Sequence, residues 1–231
     1  MHKVQGVSLP RCGHNLLVKH LQTYFDSSSV CPDYRKTMLP FIAKAKMRRF
    51  SESPTKNSTP SDKPFHYCEY YYSCRSIPCC NAVNSFQKSH DFELDISTDP
   101  DQKYIVQTRN HLGLLISWFE LRLPRQREVD SPEGFVAFAK RMQPYLNGFR
   151  KKWVESALKN RVVIDYDDYL RKPVYWLQMA IELFDDSARL DRNRLIEIVS
   201  DVKPAKDNSS FRYYDFAVAS GLFESPRKMA S

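Results

Sequence analysis

No stretch of this sequence approaches the ~20 consecutive apolar residues that a membrane-spanning helix requires. The opening residues MHKVQGVSLP lack the apolar stretch of a secretory leader, and residues 3–9 read instead as a core strand. A soluble, cytoplasmic protein with no integral membrane span is the expectation. No zinc-finger, RNP or basic-zipper pattern accompanies the spread lysines and arginines, which argues against a nucleic-acid partner. The six cysteines (Cys12, Cys31, Cys68, Cys74, Cys79 and Cys80) have neither zinc-ribbon nor zinc-finger spacing. Reduced thiols and no metal are therefore expected. The phosphate loop of kinases and ATPases, G-x-x-x-x-G-K-[ST], is missing, and no internal repeat is visible.

What is present suits a folded domain with a sizeable core. The chain has 231 residues, of which 42% are hydrophobic and 13% aromatic. A formal net charge of +8 points to anionic ligands without naming one. The densest basic cluster, KAKMRR at 44–49, reads as a solvated helix face within a basic, partly helical excursion over 34–50. SESPTKNSTPSDKP (51–64), rich in Ser, Pro and Lys, reads as an exposed mobile loop inside a single domain spanning 1–231.

Strands and helices alternate along the rest. Strands are expected at 3–9, 83–88, 103–109 (KYIVQTR) and 161–166 (RVVIDY). Helices are expected at 14–25, 111–123, 133–159, 173–184 and 190–202, the fourth opened by Pro173 at the first helical position. Such alternation implies right-handed crossovers and a central parallel sheet with helices on both faces, a three-layer α/β/α architecture.

Ligands of such sheets bind beyond the carboxyl ends of the strands. Three polar clusters fall there: Arg11–Asn15, Lys88–His90 and Arg109–Asn110. In VSLPRCGHNLLVKHL, a strand, a tight turn and a helix start follow one another, so backbone N–H groups and the helix dipole converge on a seat for an anion. The strand KYIVQTR ends in Arg109 where a magnesium-holding site would end in Asp. The site is cationic.

These segments resemble the sulfotransferase family, whose donor is 3′-phosphoadenylyl sulfate (PAPS). Its 5′-phosphosulfate loop reads roughly P-K-S-G-T-T/S-x-L, and Pro10-Arg11-Cys12-Gly13-His14-Asn15-Leu16-Leu17 is similar. Its 3′-phosphate motif places Ser eight residues after Arg, as Arg109 and Ser117 do. Its K-x-H base segment is similar to Lys88-Ser89-His90, within NSFQKSHDF, and VVIDYDDYLRKP looks like V-x-Y-E-D-L-x-x-x-P. The four occur in family order over residues 3–173.

The resemblance implies the P-loop NTPase-like sulfotransferase fold and a PAPS-dependent enzyme without metal, releasing adenosine 3′,5′-bisphosphate. His90 would be the base, with Arg11 and Lys88 stabilising the leaving oxygen. Arg11, Cys12, Gly13, His14, Asn15, Arg109 and Ser117 would hold the nucleotide. SSFRYYD (209–215) would stand in for the family's C-terminal loop, Phe211 against adenine and Arg212 on the 3′-phosphate. The departures are Arg11 for Lys, His14 and Asn15 for hydroxyl residues, and His111 where Pro is common. Arginine can stabilise charge but cannot release a proton.

Other readings stay beside this one. Asp91 is a rival base, and Tyr70-Tyr71-Tyr72 either lines an acceptor pocket or packs. The acceptor is a hydroxyl-bearing small molecule or glycan, walled by residues 26–80 and 124–134. A catalytically degenerate nucleotide-binding module and a metal-dependent nucleotide kinase are the alternative functions.

Overall fold

The computed structural model describes residues 2–25, 65, 67–69, 85–125, 127–186, 188–204 and 213–219. The expectations for 26–64, Tyr70–Tyr72, Phe211, Arg212 and every cysteine side chain but that of Cys12 lie outside the described residues.

Val4–Ser8 forms β1, buried at every position although it includes Gln5, Gly6 and Ser8. It is central, pairing in parallel with β3 (Phe86–Ser89) on one side and β4 (Lys103–Thr108) on the other. β2 (Tyr67–Glu69) and β5 (Arg161–Asp165) complete a five-stranded, all-parallel sheet in the order β2-β3-β1-β4-β5. Gly6 is required by the close approach of β3: a Cβ there would lie 2.7 Å from Cζ of Phe86.

Helices cover both faces, as the alternation predicts. Side chains of β4 alternate between them, as a strand's period of two demands. Tyr104 and Val106 face a core built with α2 (His111–Arg122), α3 (Pro132–Phe149) and Tyr213, while Ile105 joins the opposite core. That second core holds Leu17 and Leu21 of α1 (His14–Tyr24) against Val162, Ile164 and Ile181. No helix among the described residues is long and apolar enough to cross a membrane.

Local chemistry sets the boundaries. Ser131 caps α3 by accepting from the Gly134 N–H at 3.0 Å, with Pro132 at the first position. The expected helix over 133–159 is shorter than read: α3 gives way to a π-turn at Arg150–Val154, where the Glu155 N–H reaches the Arg150 carbonyl at 3.0 Å. The strand expected to reach 166 stops at Asp165, because that carboxylate accepts from the N–H groups of Asp167 and Asp168 and caps α4 (Tyr166–Arg171). α5 (Pro173–Phe184) coincides with its expected span, and α6 (Arg192–Ile198) is shorter than 190–202. β2, α4 and α7 (Tyr214–Ala219) are additions to the sequence reading, each too short for a periodic signal.

Candidate functional site

The parallel register brings the carboxyl ends of β1, β3, β4 and β5 to one edge, and the three polar clusters meet there. The chain leaves β1 through a turn in which Arg11 and Gly13 both have positive φ, 64° and 74°. The first is costly for a side-chain-bearing residue. Gly13 has no alternative: a Cβ there would collide with the ring carbons Cδ2 and Cε2 of Tyr166. α1 then starts with no side-chain cap and no acidic residue in its first turn. Its positive end has no side-chain acceptor of its own, which suits it to an anion.

Within this loop the side chains divide. The buried Cys12 thiol donates to the Leu9 carbonyl at 2.7 Å, and burial pushes its pKa up to about 12. It is a neutral packing group that offers the site only its backbone. His14 is 5% exposed, stacked on Phe86 and bonded through Nδ1 to Gln107 Oε1 at 2.5 Å. Burial, with Lys88 nearby, holds its pKa well below the ordinary value. A buried, neutral ring turned to Gln107 brings no charge to an anion, so of His14 it is the backbone N–H that suits the nucleotide-holding part expected of this residue. Asn15 is exposed at the helix start.

Three residues expected to act together do converge. Arg11 Nε donates to Ser117 Oγ at 3.1 Å, and Arg109 Nη1 donates to the Arg11 carbonyl at 3.3 Å. The Arg109 guanidinium lies 5.0 Å from the Tyr166 ring centroid and its Nε is 3.7 Å from Asp167 Oδ1. That nitrogen is buried and without a hydrogen bond. Asn110 is taken up by capping α2, accepting from the Leu112 N–H at 3.0 Å.

His90 stands at the end of β3. Its Nδ1 lies 2.6 Å from the Ser8 carbonyl and 3.3 Å from Ser8 Oγ. A carbonyl oxygen can only accept, so Nδ1 carries the proton and Nε2 is left as the basic nitrogen. The His90 carbonyl in turn accepts from the Tyr145 hydroxyl at 2.6 Å. Lys88 is only 5% exposed and close enough to Cys12 and His14 to act on both electrostatically. Asp91 is not placed as the rival base. Its carboxylate is buried and engaged by Lys152, Trp153 and the Ile96 N–H.

Beside His90 lies an aromatic wall outside the segments expected to line the acceptor. Phe92 is 50% exposed, with its ring 5.2 Å from His90, 5.7 Å from Tyr145 and 6.1 Å from Trp118. Tyr166, Ser8, Gln107 and Tyr145 were also missed in the sequence. Only Tyr166 carried a signal, as the Tyr of the fourth motif; the others act through contacts distant in sequence.

No known family's sequence profile matches the chain and no curated protein matches it. Among solved structures it is similar to retinol dehydratase in complex with androsterone and the inactive cofactor PAP, with a TM-score of 0.50 at 15% identity. That match covers 87% of this chain and 64% of the other, so this chain spans less than two thirds of its length. A sulfotransferase from Alicyclobacillus acidocaldarius matches with a TM-score of 0.42 at 13% identity, over 87% of this chain and 90% of that one. Sulfotransferase STF9 from Mycobacterium avium matches with a TM-score of 0.44 at 14% identity, over 96% and 76%. The fold is the P-loop-like sulfotransferase fold.

Proposed function

We propose that this protein transfers the sulfuryl group of PAPS to a hydroxyl of an acceptor, releasing adenosine 3′,5′-bisphosphate. The observation that carries the reading is the meeting of Arg11, Arg109 and Ser117 beside the uncapped start of α1. His90 stands at the neighbouring strand end with Nε2 basic.

In this reading the acceptor oxygen attacks sulfur in line while His90 Nε2 takes its proton. The bond between sulfur and the bridging oxygen breaks, and its electron pair leaves with the bisphosphate. Lys88 and the guanidinium of Arg11 stabilise the charge that grows on that oxygen. Backbone N–H groups of the loop from Arg11 to Asn15 hold the 5′-phosphate, and Arg109 with Ser117 holds the 3′-phosphate. Cys12 and His14 then contribute main chain only. The aromatic wall of Phe92, Trp118 and Tyr145 supports an acceptor whose hydroxyl is carried on a ring, a small metabolite or one sugar unit of a glycan, stacked beside the base.

Incubation with PAPS labelled in the sulfuryl group and a panel of ring-bearing hydroxyl compounds tests the reading. Labelled ester and an equal amount of bisphosphate are expected. Tight bisphosphate binding without transfer to any acceptor would leave a nucleotide-binding module. Magnesium-dependent phosphoryl transfer from ATP would instead make the protein a kinase.

A further inference from the structure

The residue after the candidate base has its carboxylate held by three donors. Asp91 follows His90 with a φ of 45°, a left-handed conformation uncommon for a side-chain-bearing residue though better tolerated by Asp than by most. Its carboxylate is fully engaged. Oδ2 accepts from Lys152 Nζ at 2.8 Å and from Trp153 Nε1 at 2.7 Å, while Oδ1 accepts from the Ile96 N–H at 3.0 Å. The Asp91 side chain has no solvent exposure. Lys152 also donates to the Leu94 carbonyl at 2.9 Å, at a second residue of positive φ, 54°.

Both side-chain donors come from the π-turn Arg150–Val154 at the end of α3. Consecutive residues of an α-helix do not face one another, so an uninterrupted helix would not bring Lys152 and Trp153 onto one oxygen. The wider turn does, as π-turns inserted at functional sites often do. α3 reaches the same segment once more through the Tyr145 hydroxyl on the His90 carbonyl. Residues 90–96 are therefore pinned to α3 at the His90 carbonyl and to the π-turn after it at the Asp91 carboxylate and the Leu94 carbonyl.

We propose that Asp91, gripped by Lys152 and Trp153, is the positioning residue of His90. It fixes the backbone at 90–91 so that Nδ1 reaches the Ser8 carbonyl and Nε2 is presented to the reacting hydroxyl. The inference rests on the reading of His90 as the base, and it gives the carboxylate a structural part in the proton transfer rather than the proton itself. The charge matters as well as the shape: without it, the part-buried Lys152 ammonium loses its counter-ion.

The test uses the full chain with Asp91→Asn, Lys152→Met and Lys152→Arg. Nitrogen-15 spectra of the imidazoles, with His90 assigned through His90→Gln, report the tautomer directly. The wild type is expected to show His90 protonated at Nδ1. Asp91→Asn and Lys152→Met should lose that single tautomer, and Lys152→Arg should restore it by keeping a cation on the carboxylate.

Where transfer activity is present, kcat should fall roughly 10–100-fold in the first two variants, the scale of a misplaced catalytic group. Affinity for adenosine 3′,5′-bisphosphate should stay within about twofold, since the nucleotide residues lie elsewhere. An unchanged tautomer in both variants overturns the proposal, whatever their turnover. Equal losses of bisphosphate affinity and kcat would mark general damage and also overturn it. If Asp91→Asn does not fold, Lys152→Met decides alone, because it leaves the Trp153 bond in place. If the wild type transfers nothing, the failure belongs to the proposed function, and the tautomer still settles the role of Asp91.

Discussion

Gly13 and Tyr166 are packed so closely that the ring of Tyr166 fills the space a side chain on Gly13 would need. The same ring lies beneath the guanidinium of Arg109, 5.0 Å from its centroid. One aromatic side chain at the start of α4 thus shapes the turn after β1 and seats the cation at the end of β4.

Gly13→Ala should therefore damage binding and stability together. A Cβ at a φ of 74° is strained, and the Tyr166 ring must move to admit it. Overpacking of this kind costs about 1–3 kcal/mol, and the left-handed conformation about 1 kcal/mol more. We expect a lower urea midpoint and at least a tenfold loss of bisphosphate affinity by calorimetry. A Gly13→Ala protein with wild-type affinity would show that the turn takes no part in binding.

His90→Gln should separate chemistry from binding. The amide can still bond the Ser8 carbonyl but offers no basic nitrogen. Turnover should drop by roughly 10²-fold or more, the usual contribution of a general base, with bisphosphate affinity nearly unchanged. Steady-state kinetics beside calorimetric titration gives both quantities.

Arg109 and Ser117 should set the preference for a 3′-phosphate. One charge-assisted bond contributes about 1.5–3 kcal/mol, so adenosine 3′,5′-bisphosphate should bind ~10²-fold more tightly than adenosine 5′-monophosphate. Arg109→Ala should remove most of that difference, also by releasing the ring of Tyr166 and the Asp167 carboxylate. Thermal shifts with each nucleotide provide a second reading, since at equal concentration the tighter ligand stabilises the fold more. Equal affinities in the wild type would make the pairing of Arg109 with Ser117 irrelevant to ligand choice.

Stability should decline as the solution turns mildly acidic. His14 and His20 are buried, and burial lowers both pKa values from the ordinary 6.5. Above that pH both are neutral whether the chain is folded or not, and the fold is at full stability. Below it the unfolded chain takes up protons that the folded chain refuses, so stability falls with pH until the folded values are passed. His14, whose value is lowered further, loses stability over a wider range of pH than His20. His20 bonds Tyr169 through Nδ1 and Asp201 through Nε2, so His20→Gln should lower stability at neutral pH yet flatten the slope between pH 6.5 and 5.5. Urea midpoints across that range measure the slope.

The alternating pattern was enough to predict a parallel sheet with helices on both faces, because β4 and β5 are apolar runs and α1, α2 and α5 carry helical periodicity or sharp boundaries. Arg11, His90 and Arg109 stand out as candidates in the sequence for a related reason. Each follows the end of a strand, where turn residues and polar breaks mark the position locally, whereas Ser117, inside α2, is singled out only by its spacing from Arg109.

What only the tertiary structure decided concerns contacts between residues far apart in the chain. Nothing in the sequence near His14 announces that Gln107 and Phe86 bury its ring, so whether its side chain or only its backbone faces the anion seat is decided when the strands are assembled. Nothing near Asp91 announces Lys152 and Trp153, because a π-turn has no sequence period and the pairing spans 61 residues. The rank of Asp91 as a base or a strut, and of Cys12 as a reactive or inert thiol, depends on desolvation and on hydrogen-bond partners. Those are properties of packed neighbours, while strand ends and helix starts are properties of the local chain. The first kind of information exists only after folding; the second is written along the sequence.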